Sequence, residues 1–239
     1  MLHSINSLFG YELIGKDGTL GTVFDVLIDD SNWSTRYLLI DTGVWLPGKK
    51  LIIEPKVLQE PNTDSQTIPI KLDRSSVTKE IETLHGFDSY SWWEPSVHHS
   101  TATRTAPALA MLGPTAEPIV RENEKDTDIS TLHSLKTLIG QGVSVDKNRM
   151  GSVEDFILCT DDWKLPFLIA TTRTWLPQKR VMVATTVIKR VVPLTRTIQL
   201  SLSKQAFESC PEYKPKTPIN RRLEEVYYDY EGHQATPPE

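Results

Sequence analysis

The sequence predicts an all-β chain built as two small tandem β-barrels with short flanking helices. Three observations carry this prediction. The chain of 239 residues states one pattern twice at a constant spacing. Leu2-His3-Ser4 returns as Leu132-His133-Ser134, Trp33 as Trp163, and Trp45-Leu46-Pro47 as Trp175-Leu176-Pro177, with 163 − 33 = 130 at every pair. No net insertion has accumulated between the copies, as expected where strand register cannot slip. Within each copy of roughly 75 residues, short β-rich runs bounded by turn residues follow one another with no long helix between them. The last run of each alternates: Ile68, Ile70 and Leu72 face one side, as do Ile198, Leu200 and Leu202, a period of two that marks a strand with one buried face. Closing such a sheet also removes exposed strand edges.

Each copy opens with a predicted helical turn, Ser4 to Phe9 ending at Gly10 and Ser134 to Ile139 ending at Gly140, where glycine suits the left-handed position that ends such turns. Lys16-Asp17-Gly18 and Asp146-Lys147-Asn148 read as turns. Strands are predicted over Thr22–Asp29, Tyr37–Ile40 and Lys50–Ile53, and again over Phe167–Ala170 and Arg180–Val183. A looser repeat follows each barrel: Val77 to Leu84 matches Ile219 to Val226 at an offset of 219 − 77 = 142. Thr78 and Asn220 are suitable N-caps, and Leu223, Val226, Tyr227 and Tyr230 form one helical stripe. The predicted organisation is a first barrel over 1–76, a helix and aromatic tail over 77–94, a flexible linker over 95–130, a second barrel over 131–206, and a C-terminal segment with a short amphipathic helix over 207–239. The linker is rich in Pro, Ser, Thr and Ala, with too little apolar surface to offset the cost of ordering it. Its length would let the barrels meet in several geometries.

The two cysteines, Cys159 and Cys210, form no disulfide framework; Cys159 reads as a small buried thiol in an apolar strand. With no leader signature and no apolar run near 18 residues, the expectation is a soluble protein of a reducing, cytoplasmic compartment without membrane insertion. Charge is split between the copies. Residues 1–74 carry seven Lys and Arg against ten Asp and Glu (7 − 10 = −3), and residues 132–206 carry eleven against five (11 − 5 = +6). The split reads either as surface drift between duplicated halves or as a second copy suited to an acidic surface, the first copy included.

Residues that could carry chemistry are few. His3 and His133 each precede a helical turn and read as capping or packing residues. His98-His99 has no cysteine at ligand spacing, so no dedicated metal site is expected. Asp25 and Asp155 fall in mid-strand, where a solvent-facing or turn-bonding acid is expected; neither copy offers the second acid that a glycosidase needs. No nucleophile elbow, P-loop, dinucleotide fingerprint or zinc-finger spacing occurs. No catalytic residue, cofactor or metal is therefore predicted. The candidate interaction residues are Trp92 and Trp93, together with the basic set Arg173, Lys179, Arg180, Lys189, Arg190 and Arg196. The two adjacent tryptophans either plug a barrel surface or anchor a partner.

The pattern from Arg36-Tyr37-Leu38-Leu39-Ile40-Asp41-Thr42-Gly43 through Trp45-Leu46-Pro47-Gly48-Lys49-Lys50-Leu51-Ile52-Ile53-Glu54-Pro55 resembles the PRC-barrel domain. That small β-barrel is shared by the cytoplasmic part of photosynthetic reaction-centre H subunits and the C-terminal half of a ribosome-maturation factor. The whole chain resembles bacterial proteins with two such barrels, and Leu202 to Tyr213 followed by Pro218 to Arg221 resembles the segment after the second. Copy two departs from the pattern at Arg173-Thr174, Gln178 and Ala184-Thr185. The resemblance implies a non-enzymatic interaction and assembly module with a protein partner, paired within the chain or as a homodimer. The alternative is an RNA- or ribosome-associated factor acting through the basic second barrel. Kinship of fold does not choose between them.

Overall fold

The computed structural model describes residues 1–43, 50–74, 76, 132–172 and 179–214. The Trp45 and Trp175 turns, the helices expected over 77–84 and 219–226, the linker, Trp92, Trp93 and Arg173 lie outside the described residues. In chain order the strands are β1 (Leu2–Ser4), β2 (Glu12–Gly15), β3 (Gly18–Asp29), β4 (Ser34–Asp41), β5 (Lys50–Ile53) and β6 (Thr67–Pro69). They continue with β7 (Leu132–Ser134), β8 (Gly142–Val145), β9 (Asn148–Cys159), β10 (Lys164–Thr172), β11 (Arg180–Ala184), β12 (Ile188–Val192) and β13 (Thr197–Leu200). Single helical turns at Ile5–Leu8, Leu135–Leu138 and Lys204–Glu208 complete the described elements with three short 3-10 turns. The chain is all-β in this sense. Bounds recur at the offset of the sequence: 18 + 130 = 148 and 29 + 130 = 159 turn β3 into β9. β12 alone lacks a strand counterpart, since residues 58–62 make only isolated bridges, Leu58 with Ile70 and Asn62 with Thr67.

One hydrogen-bonded path joins both copies, in the order β12-β13-β8-β9-β10-β4-β3-β2-β6, with β1, β5, β7 and β11 added beside it. The pairs β2–β6 and β8–β13 are parallel and the others antiparallel. The two ends, β12 and β6, do not pair with each other among the described residues. The expected pair of barrels therefore appears as one open sheet. The reason is an exchange of strands. β1 pairs with β9 of the other copy (Leu2 opposite Cys159), and β7 pairs with β3 (Leu27 opposite Ser134). β4 meets β10 at Ser34 and Lys164. Around this meeting point Thr35 N–H donates to Trp163 O at 2.7 Å, and Leu165 N–H donates to Trp33 O at 2.8 Å. The two bonds are exchanged by the 130-residue offset, so the centre is a pseudo-twofold. Trp33 and Trp163 hold φ of 54° and 56°, a left-handed backbone that costs a non-glycine residue about 1–2 kcal/mol. The central crossing holds both in it.

Most buried apolar residues of both copies share one core, and Ile157, Phe167, Ile169 and Met182 form a second, smaller cluster. Ile5, Leu8, Val26 and Ile40 of the first copy are buried together with Leu135, Leu138, Phe156 and Leu168 of the second. Trp33 stacks on Phe156 of the other copy with ring centroids 5.8 Å apart. Each fully buried side chain of this size contributes about 1.5–3 kcal/mol. In this structure the halves meet through β1 on β9 and β7 on β3; the linker expected over 95–130 lies outside the described residues.

Candidate functional site

Two matching carboxylates lie where the copies clasp. The strand β3 bulges between Val23 and Asp25, and β9 between Val153 and Asp155. A bulge shifts the side-chain alternation by one residue, so the core-facing set passes from Val23 to Val26 and Ile28 and from Val153 to Phe156 and Leu158. Asp25 and Asp155 beside it are 2 % and 6 % exposed, covered by the opening turn of the other copy. The expectation of a solvent-facing or turn-bonding acid on the polar face is corrected: both are buried and bond the opening turn of the other copy. Ser134 Oγ donates to Asp25 Oδ2 at 2.5 Å and Lys136 N–H to Asp25 Oδ1 at 3.2 Å. Ser4 Oγ donates to Asp155 Oδ2 at 2.5 Å and Asn6 N–H to Asp155 Oδ1 at 3.0 Å. Each acid thus binds the opening helical turn contributed by the other copy. Ser4 and Ser134 also cap those turns, accepting from Ser7 N–H at 3.2 Å and Thr137 N–H at 3.1 Å. Burial pushes both carboxyls above the ordinary aspartate range, with the serine and backbone bonds pulling the other way.

The histidines support the clasp differently in each copy. His3 Nε2 lies 3.0 Å from Glu60 Oε1, which also accepts from Thr160 Oγ1 at 2.8 Å. Burial works to raise the Glu60 carboxyl, but the bonds from His3 and Thr160 and the nearby chain N-terminus bring it below the usual range. His133 Nε2 instead lies 2.9 Å from Asp30 Oδ2 of the first copy. A third contact has also diverged. Arg180 Nε donates to Glu154 Oε1 at 2.6 Å; at the matching positions Lys50 Nζ sits 2.9 Å from the Phe24 ring centre, and Lys136 Nζ 3.9 Å from the same ring. An ion pair in one copy is a cation–π contact in the other.

The basic candidates fall in two places. Lys179 and Arg180 lie at the start of β11, where Lys179 N–H donates to Thr172 Oγ1 at 3.2 Å and Arg180 holds Glu154. Lys189 and Arg190 are exposed on β12. Arg196 is exposed in the turn into β13 with φ of 49°. Arg190 Nε donates to Gln199 Oε1 at 2.9 Å, which fixes its direction. Of the cysteines, Cys159 is half-buried rather than sealed and burial raises its thiol; Cys210 is pushed up to about 11 by burial. Neither favours the thiolate at neutral pH.

Among the described residues no group of three or more His, Cys, Asp or Glu is placed to hold a metal ion, and no helix is long and apolar enough to cross a membrane. Compared with known protein families and with curated proteins, the chain matches no family model and none of the curated sequences. Two features escape sequence reasoning, one buried and one exposed. The clasp is signalled only by the joint recurrence of Ser4 with Asp25 and of Ser134 with Asp155. Leu194, 91 % exposed at the β12–β13 turn, has no sequence signal apart from Pro193 beside it.

Proposed function

We propose that this chain is a non-enzymatic interaction and assembly protein of the PRC-barrel kind, in which two β-modules complete each other. The observation that carries the reading is the reciprocal exchange of β1 and β7 between the copies. It spends the opening segments and both buried acids on holding one preformed body, which presents its outer strands and turns to a partner without reorganisation. The described residues of the PRC-like pattern, 36–43 and 50–55, fall on or beside β4, β5 and the 3-10 turn at Pro55–Val57, the framework of the first module. In the same reading the protein is cytoplasmic. Affinity purification with cross-linking from the native cell tests it: recovery of a definite protein partner is expected, and recovery of unrelated background alone across conditions overturns it.

Ribosome or RNA association is the second reading. One observation favours it: no Asp or Glu occurs from residue 163 to residue 207, and Lys189, Arg190 and Arg196 share one end of the sheet. RNA binding by this surface falls steeply with salt and disappears when all three are changed to Glu. Retention on RNA after that reversal defeats it.

A further inference from the structure

We infer that β12 is a docking edge for an acidic, extended segment of a partner protein, which adds to the sheet as a further strand. The inference rests on the reading of the chain as an interaction protein and names the partner chemistry that one of its surfaces takes.

Among the described residues no strand pairs with the outer edge of β12. Within that set β12 bonds to β13 alone and ends the sheet path, and an edge strand presents backbone N–H and C=O groups to whatever comes next. The first copy shows the same position closed. Its matching stretch, residues 58–62 (188 − 130 = 58; 192 − 130 = 62), forms no strand. Pro61, in place of Val191, is buried, and Glu60, in place of Arg190, is tied to His3 and Thr160. Proline removes a ladder donor, and the tied glutamate folds that edge against the clasp. With Val191 and Arg190 instead, the second copy keeps a five-residue strand, whose pairing with β13 shifts register at Lys189 and runs on in step through Arg190, Val191 and Val192.

Charge selects the occupant. Lys189 and Arg190 stand exposed on this edge with Arg196 in the adjoining turn, and the neighbouring strands β13 and β8 contain no acid. The nearest titratable groups in the turn between β8 and β9 are Asp146 and Lys147. A second copy adding antiparallel would set these cations against their equivalents, which is destabilising. Nucleic acid would answer the three charges but leave the strand ladder unused. An acidic strand answers both. At its far end Leu194 is 91 % exposed where the first copy has Asp64 (194 − 130 = 64), so an apolar residue of the incoming segment has a contact there.

The test uses the full chain and a fluorescein-labelled octapeptide of alternating Glu and Val, read by anisotropy, with amide hydrogen exchange over residues 188–192. Binding is expected, with slowed exchange in β12. It weakens about tenfold or more in Lys189→Glu/Arg190→Glu, in Val191→Pro, which keeps the charges, and with a peptide N-methylated at alternate amides. Thermal melting of each variant confirms that it is folded. Equal binding of the N-methylated peptide, no binding at all, protection of β12 by oligouridylate instead, or protection that appears only with dimerisation overturns the inference. If native-cell cross-linking recovers the same partner with Lys189→Glu/Arg190→Glu as with the parent chain, the edge fails while the interaction reading stands. If it recovers none with either while the peptide binds β12, the reverse holds.

Discussion

Asp25 and Asp155 set the strongest residue-level expectations. Each is a buried acid whose acceptor oxygens satisfy a serine hydroxyl and a backbone N–H from across the clasp. Asp25→Ala leaves the buried Ser134 hydroxyl without its acceptor and lowers the unfolding free energy by about 1–3 kcal/mol, read from urea denaturation; an unchanged midpoint contradicts the clasp. The pH response has a definite sign. Both folded carboxyls lie above the reference 3.8, so the folded state holds these protons more tightly than the unfolded chain. Their contribution to stability is largest below that reference and falls as pH rises through the interval up to the folded values. Glu60 works in the opposite sense. Its folded carboxyl lies below the reference 4.5, so its contribution is present above that value and fades as pH falls. In Asp25→Asn/Asp155→Asn, stability should therefore decline less as pH rises above the reference 3.8 than in the parent chain. An identical slope would show that these acids do not titrate differently on folding.

At the scale of single elements, the glycines separate two physical demands. A Cβ at Gly21 would stand 2.2 Å from Asp41 O, and one at Gly151 would stand 1.8 Å from Thr171 O. These are the repeat-matched points where β3 crosses β4 and β9 crosses β10. A Cβ at Gly10, by contrast, meets nothing within 4 Å, and the constraint there is its φ of +86° alone. Gly151→Ala should cost about 3 kcal/mol or more through overpacking, and Gly10→Ala about 1 kcal/mol, in calorimetry or denaturant titration. Comparable losses at both would mean that backbone contact is not what Gly151 serves. The strands themselves are largely readable from the residues: β5 matches the expected Lys50–Ile53, and the expected Thr22–Asp29 is the later part of β3. The burial of Asp25 is not, because it depends on Ser134 and Lys136 arriving from the other copy, and alternation read without the bulge at Phe24 also misplaces the later core residues Val26 and Ile28. The final runs also overreach. Ile70 makes only an isolated bridge beyond β6, and Leu202 lies beyond the end of β13.

For the whole molecule, a constant offset between copies announces two like modules but is silent on whether each closes alone or borrows from its neighbour. Strand exchange is decided by β1 and β7, three residues each, too short to carry a pairing signal in their own composition. The basic end of the second copy is legible from charge, whereas the openness of β12 is not, since it depends on where β12 falls at the end of the sheet path. The pseudo-twofold supplies a test. A chain of residues 1–76 alone carries β1 and the β3 surface that β7 occupies in the full protein, so two such chains can exchange β1. Light scattering should give twice the chain mass, and Asp25→Asn should weaken the pair. A folded, monodisperse single chain would show that the exchange is dispensable.

Synthesis order gives the exchange one more meaning. Because Leu27 must wait for Ser134, a polypeptide growing from its N-terminus cannot finish its earlier sheet until the second copy has begun to emerge. Pairings so remote in sequence make for slow acquisition of the native state. During translation the half-finished β3 margin stays available to any neighbouring nascent chain that offers its own opening strand.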